Sequence, residues 1–223
     1  LTIVLAAALL LWGTFVAVDL VTVPQGMFSR PLVSATVAGA LAGNVTAGLL
    51  AGVVLELYAL EVMPIGASRY PDWGPAAMAA GATAALVPGA GRVGVAGLVA
   101  LPLAMVGGWS MLVHRRQTAR SITSKLERVA AGDARVIWQL QREGLLRDTL
   151  RGVVLSTLGI AMILAAGLVP WTAIEHLELL DFAVLGGGLS AALGGAIRSA
   201  GSGARRRWLA IGVAAGMVVV LWP

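Results

Sequence analysis

The chain contains no cysteine, which excludes disulfides, thiolate nucleophiles and every metal site built on sulfur. It holds only two histidines, His114 and His176, each at the end of an apolar run. No nucleophile stands beside a base, so no catalytic constellation assembles and the chain is not expected to be an enzyme in its own right. There is no GxGxxG between a strand and a helix and no Walker loop. The 29 glycines are therefore expected to serve close helix packing, as small residues do in lipid, rather than a phosphate cradle. No cofactor and no metal is expected. Charge is also scarce: 12% of residues are ionic, against about 25% in soluble domains.

What fills the chain instead is apolar. Hydrophobic residues make up 58% and mean hydropathy is +0.88. They come in long blocks, the pattern of bilayer spans. The strongest are Ile3–Val18, Thr46–Met63, Val93–Val113, Val153–Trp171 and Trp208–Trp222; weaker ones run near Pro31–Leu41, Pro75–Val87 and Phe182–Ile197. The first block lacks a basic leader and is expected to be retained as a span. The expected fold is an all-α integral membrane protein, a multi-span helical bundle with re-entrant or discontinuous helices in its first half.

The few charges are unevenly placed. The stretch His114–Arg151 alone carries a surplus equal to the net charge of +5 of the whole chain. A second basic cluster is Arg198, Arg205, Arg206 and Arg207, while the loop around Glu175, Glu178 and Asp181 has no Lys or Arg. The positive-inside rule puts both basic stretches in the cytoplasm and the acidic loop outside. Between Ser121 and Arg147, apolar residues alternate with charge as in amphipathic helices lying at a membrane interface. A place between spans argues against nucleic acid as a partner. Three parts follow: 1–113, a membrane half with broken helices and the substrate site; 114–151, a cytoplasmic basic connector; 152–223, a second membrane half.

The first half is interrupted by Pro24, Arg30, Pro31, Asn44, Pro64 and Pro71. Short apolar segments broken by Gly and Pro mark re-entrant backbone lining a protected cavity. Glu56 lies deep in an apolar run, where a carboxylate costs a few kcal/mol, roughly, and faces a cavity or a partner. It reads either as an acceptor for a polar substrate or as one half of an internal salt bridge, and the sequence leaves both open. Arg30, Glu56, Glu61, Arg69 and Asp72 converge only if re-entrant segments bring their loops together.

The ordered set Phe28-Ser29-Arg30-Pro31-Leu32, Gly43-Asn44-Val45-Thr46-Ala47-Gly48, Leu55-Glu56-Leu57-Tyr58-Ala59-Leu60, Met63-Pro64-Ile65-Gly66-Ala67 and Pro71-Asp72 resembles the IIC membrane subunit of the mannose/fructose/sorbose family of bacterial sugar phosphotransferase systems. The resemblance implies a multi-pass protein of the bacterial inner membrane that forms a hexose path with a IID-type membrane subunit. Soluble IIA and IIB proteins would carry the phosphate, and the whole would be an oligomeric complex. It places Glu56, Asp72, Arg30, Asn44 and Gly66 at the substrate. Pro64 stands where the family commonly has Asn, Glu61 where it has Gly, and Asn44 where it often has Asp. These departures motivate the alternative, a structural or regulatory subunit that keeps the fold without transporting.

Overall fold

The computed structural model describes residues 1–62 and 69–199 and the single residues 203, 207, 211 and 212. Eight α-helices account for most of them: α1 Ile3–Asp19, α2 Pro31–Leu41, α3 Val45–Ala59, α4 Trp73–Leu86, α5 Arg92–Thr123, α6 Leu126–Ala130, α7 Ala134–Gly167 and α8 Glu178–Ser199, with one tight turn of helix at Trp171–Ala173. There is no strand among the described residues. The expected span Trp208–Trp222 lies outside them but for Ile211 and Gly212.

Length sorts the helices. α5, α7 and α8, of 32, 34 and 22 residues, extend about 48, 51 and 33 Å at 1.5 Å per residue. Each is long enough for a hydrocarbon core of about 30 Å. Phe182–Ile197, weak as a sequence signal, is thus the heart of a helix of full length. The basic stretch 114–151 does not interrupt α5 or α7. Both run out of their apolar parts into charge without a break, and only α6 and its flanking turns join them. Charge ends a hydropathy signal, but it does not end a helix. Asp133 starts α7 by accepting from the N–H groups of Arg135 at 3.0 Å and Val136 at 3.3 Å, the usual role of an N-cap aspartate. Hydrogen bonds from the Arg128 side chain first, and then from the Val136 N–H, hold its carboxyl below the ordinary carboxylate range.

The first half is built differently. Thr46–Met63 reads as a span, but the helix there stops at Ala59 after 15 residues, about 22 Å. It is one arm of a helical hairpin. The other arm, α2, has 11 residues, about 16 Å, so neither arm crosses a bilayer alone. The hairpin turns at Ala42–Asn44. Gly43 takes a left-handed φ of +90° that costs a glycine nothing, and the Asn44 side chain caps α3 by accepting from Ala47 N–H at 3.0 Å. The arms close on each other at Gly39 and Gly48: a Cβ on Gly39 would lie 2.6 Å from the Gly48 Cα.

α4 is the axle of the bundle. Eleven of its 14 residues are buried, and it packs against α1, α2, α3, α5 and α7. Nine of the 14 are Ala or Gly, so backbones meet directly; a Cβ on Gly81 would run into the Ala35 carbonyl. A few large residues such as Leu9, Leu55 and Leu103 fill the core, but many point the other way. Ile3, Val4, Leu11, Met105, Trp109, Val154 and Leu168 are all exposed. Small residues inside and large ones outside is the arrangement of a bundle solvated by lipid, where close packing rather than water exclusion draws helices together.

Sidedness follows from four contacts. The end of α1, the start of α2, the end of α3 and the start of α4 all lie on the side of the bundle where α7 begins and α8 ends. Arg151 reaches the Ala17 carbonyl and Asp72, Arg30 pairs with Glu56, and Glu61 pairs with Arg198. The α2–α3 hairpin therefore opens on the side of the bundle that carries the charged connector, and its tip points back into the bundle.

Candidate functional site

Two polar clusters lie side by side at this level, joined by the extended segment Tyr70–Trp73. The first is Arg30 and Glu56. Arg30 stands at the N-cap of α2 with Pro31 behind it, and Glu56 lies on the last full turn of α3. Their side chains form an ion pair. The second Glu56 oxygen accepts from the Leu32 N–H at 3.1 Å, supplying an acceptor for one of the backbone donors that a helix start leaves open. Of the two readings of Glu56, the geometry contains the salt bridge.

The second cluster was not legible as a cluster in the sequence. Asp72 and Asp148 are both buried, and the side chain of Arg151 lies between them. The guanidinium donates to Asp72 Oδ2, to Asp148 Oδ1 at 3.0 Å and to the Ala17 carbonyl at 3.1 Å. The Thr22 hydroxyl donates to Asp148 Oδ2, tying the α1–α2 connection to α7. Two carboxylates thus share one cation, and Asp72 Oδ1, although buried, accepts no hydrogen bond. A buried polar atom without a partner is costly, by about 1–3 kcal/mol, unless a water, an ion or a ligand satisfies it.

The segment between the clusters is clamped onto α5. The Asp72 N–H donates to the Ala104 carbonyl at 3.0 Å. Gly107 and Gly108 lie so close beneath it that a Cβ on either would fall 2.6 Å from Asp72 Cβ or 2.5 Å from the Tyr70 carbonyl oxygen. The Tyr70 hydroxyl accepts from Arg115 at 2.8 Å, and the same guanidinium lies 5.0 Å from its ring centre. On the other side, Asp19 at the end of α1 accepts from Gly26 N–H at 2.6 Å and Ser29 N–H at 2.9 Å. It thereby shapes the loop that presents Arg30. A cleft of about 40 Å³ opens between Arg30, Ala59, Tyr70, Pro71 and Trp73, room for one or two waters at about 30 Å³ each.

Of the residues expected at the substrate, the structure brings Arg30 and Glu56 together and sets Asp72 in the neighbouring cluster. Asn44 is at the far tip of the hairpin as a helix cap, away from both. Gly66, like Pro64, lies outside the described residues. Missed in the sequence were Arg151 and Asp148, whose only signal is a charge pair three residues apart at the mouth of an apolar run. Tyr70 and Asp19 were missed as well.

The fold and its two clusters define a class: a polytopic helical membrane protein with a re-entrant hairpin and buried charge where the hairpin opens. The particular family follows from sequence. The chain belongs to the family described as the sorbose-specific IIC component of the PTS system, which matches residues 3–197. It is a multi-pass protein of the bacterial inner membrane. The mannose-specific EIIC component of the PTS system from Escherichia coli (strain K12) is 35% identical over 91 residues, 41% of this chain and 34% of that protein. The Shigella flexneri protein of the same description matches equally. The chain thus aligns with about a third of the length of these relatives. Two solved structures share the fold across 100% of the chain. One is described only as the structure of a membrane protein, with TM-score 0.69 at 18% identity over 96% of that chain. The other is from the complex of the mannose transporter ManYZ with microcin E492, with TM-score 0.61 at 20% identity over 88% of that chain.

Proposed function

We propose that this chain is the membrane subunit of a sugar phosphotransferase-type transporter and forms a hexose path with a IID-type membrane partner. Soluble IIA and IIB proteins carry the phosphate, and no phosphoacceptor or catalytic step falls to this chain. The observation that carries the proposal is the buried Asp72 oxygen that accepts no hydrogen bond, on a segment whose neighbouring residues Tyr70, Pro71 and Trp73 line a cleft with Arg30. A hexose is a ring of hydroxyl donors. A carboxylate oxygen in a dry site binds such donors with charge-assisted strength and discriminates among their positions.

The cleft, at about 40 Å³, is far below the roughly 300 Å³ at which ligand pockets begin. Sugar entry then requires a second conformation in which the Arg30–Glu56 pair opens and Glu56 turns from Leu32 N–H to the ligand. Ligand contacts shift such an equilibrium only by what they gain over the closed state. An equilibrium between a self-paired and a sugar-paired Glu56 responds to sugar in this way. Gly66 joins the site in this reading, and Asn44 contributes by capping α3.

A second reading, a subunit that keeps the fold without transporting, draws on the same ion pair: Arg30 and Glu56 neutralise each other and leave no room. Uptake separates the two. Cells lacking other hexose carriers and expressing this chain with its IID, IIA and IIB partners accumulate labelled sugar phosphate under the first reading. They accumulate none under the second, even with both membrane subunits present in the membrane.

A further inference from the structure

Residues four apart on a helix share one face. On α7, at 3.6 residues per turn, Arg135, Trp138, Arg142, Leu146 and Val153 fall on one face that runs from the connector into the span. Trp138, Leu146 and Val153 are 67%, 61% and 36% exposed. The lipid-facing stripe of the span thus continues beyond Val153, where the long apolar run of the sequence begins. Length requires it to. Val153 to Gly167 covers about 21 Å, short of a core of about 30 Å. Leu168 back to Leu150 covers about 27 Å, and back to Leu146 about 33 Å. The edge of the hydrocarbon therefore falls between Leu150 and Leu146, and Arg142 stands about 6–12 Å above it, at the level of the lipid headgroups.

An open hollow of about 1000 Å³ lies on this face. Leu145 and Leu146 form its membrane side, Arg135 and Arg142 its upper side, and Trp138 stands between. Neither arginine makes an ion pair among the described residues. The carboxylate that reaches the hollow, Glu143, is already held by Lys125 at 3.1 Å and Arg147 at 3.4 Å. The face is thus apolar below and uncompensated positive above, with an indole at the boundary, the side-chain order of a membrane–water interface.

We propose that this face of α7 binds the phosphodiester headgroup of an anionic phospholipid from the cytoplasmic leaflet. The phosphate lies between Arg135 and Arg142, and the acyl chains run down the Leu146–Val153 stripe. The continuity of that stripe with the bilayer and the sign of the charge together select lipid over a soluble partner. The site is independent of the sugar cluster, which lies on the opposite, buried face of α7 at Asp148 and Arg151.

The test uses the full chain in the membrane complex in which it is isolated, titrated with phosphatidylglycerol and, separately, with phosphatidylcholine, and read by native mass spectrometry. The wild type is expected to hold phosphatidylglycerol at least ten-fold more tightly. Each basic residue near a charged leaflet contributes about five-fold, so R135Q/R142Q loses most of that preference and R135K/R142K keeps most of it. The preference falls with added salt, and inorganic phosphate, which lacks acyl chains, does not compete at millimolar concentration. Equal retention of the two lipids, or an unchanged preference in R135Q/R142Q, overturns the proposal. So does full competition by inorganic phosphate, or occupation of the face by an acidic soluble protein with no lipid preference.

Discussion

Replacing Arg151 with methionine tests the buried cluster most severely. The substitution keeps an unbranched, flexible stem and removes three hydrogen bonds, those to Asp72, Asp148 and the Ala17 carbonyl. Two carboxylates are left in a dry site without a counter-charge. Removing one partner of a buried ion pair costs about 3–5 kcal/mol, and here one cation serves two anions. For a chain of this size each kcal/mol moves the unfolding midpoint by about 2–4 °C. R151M should therefore unfold roughly 6–20 °C below the wild type when tryptophan fluorescence is followed in detergent. The cost comes from stranded charge rather than lost packing. The triple variant D72N/D148N/R151M should accordingly recover most of the loss, as replacing a whole buried ion network with neutral groups does. An R151M midpoint within a degree of the wild type would refute the reasoning, and so would a triple variant no more stable than R151M.

Gly81→Ala places a Cβ against the backbone oxygen of Ala35, and neither α2 nor α4 has a flexible side chain there to yield. A loss of about 1–3 kcal/mol is expected in a steric-trap or thermal assay, and wild-type stability would mean that α2 and α4 do not meet at this point. At the other end of the bundle, Asp181 of α8 accepts from Gly91 N–H at 3.0 Å and Gly94 N–H at 2.7 Å, capping α5 from another helix. Asp181→Ala should cost about 1–2 kcal/mol and speed amide exchange in the first turn of α5, whereas unchanged exchange there would dissolve the cap.

Much of this architecture was readable from residue order, and the parts that were not have identifiable causes. α2 begins and ends where the sequence says, at Pro31 and Leu41, because proline starts it and the Gly43–Asn44 turn stops it. The broken character of the first half was legible from the same punctuation. α3 was read too long because the apolar run continues past Ala59 while the helix does not, and hydropathy measures only the former. α5 and α7 were read too short for the converse reason. In the site, Glu56 was legible as an anomaly, a carboxylate among aliphatics, but its partner was one of two alternatives until the hairpin closed Arg30 onto it. Asp72 and Arg151 are 79 positions apart, and nothing local announces their pairing. The sequence resemblance, by contrast, identified the family before any contact was known. It did so through short ordered stretches whose roles the structure supplies: Arg30-Pro31 opens α2, Gly43-Asn44 turns the hairpin, and Pro71-Asp72 crosses the glycines of α5.

The account stands most directly on whether Asp72 meets a sugar. The measurement is equilibrium binding of labelled mannose or fructose to the purified complex of this chain with its IID-type partner, comparing wild type with D72N. A hydrogen bond to a charged group contributes about 1.5–3 kcal/mol, so D72N should bind roughly 10- to 150-fold more weakly while remaining folded. Absence of sugar binding by the wild-type complex, or equal affinity in D72N, would contradict it.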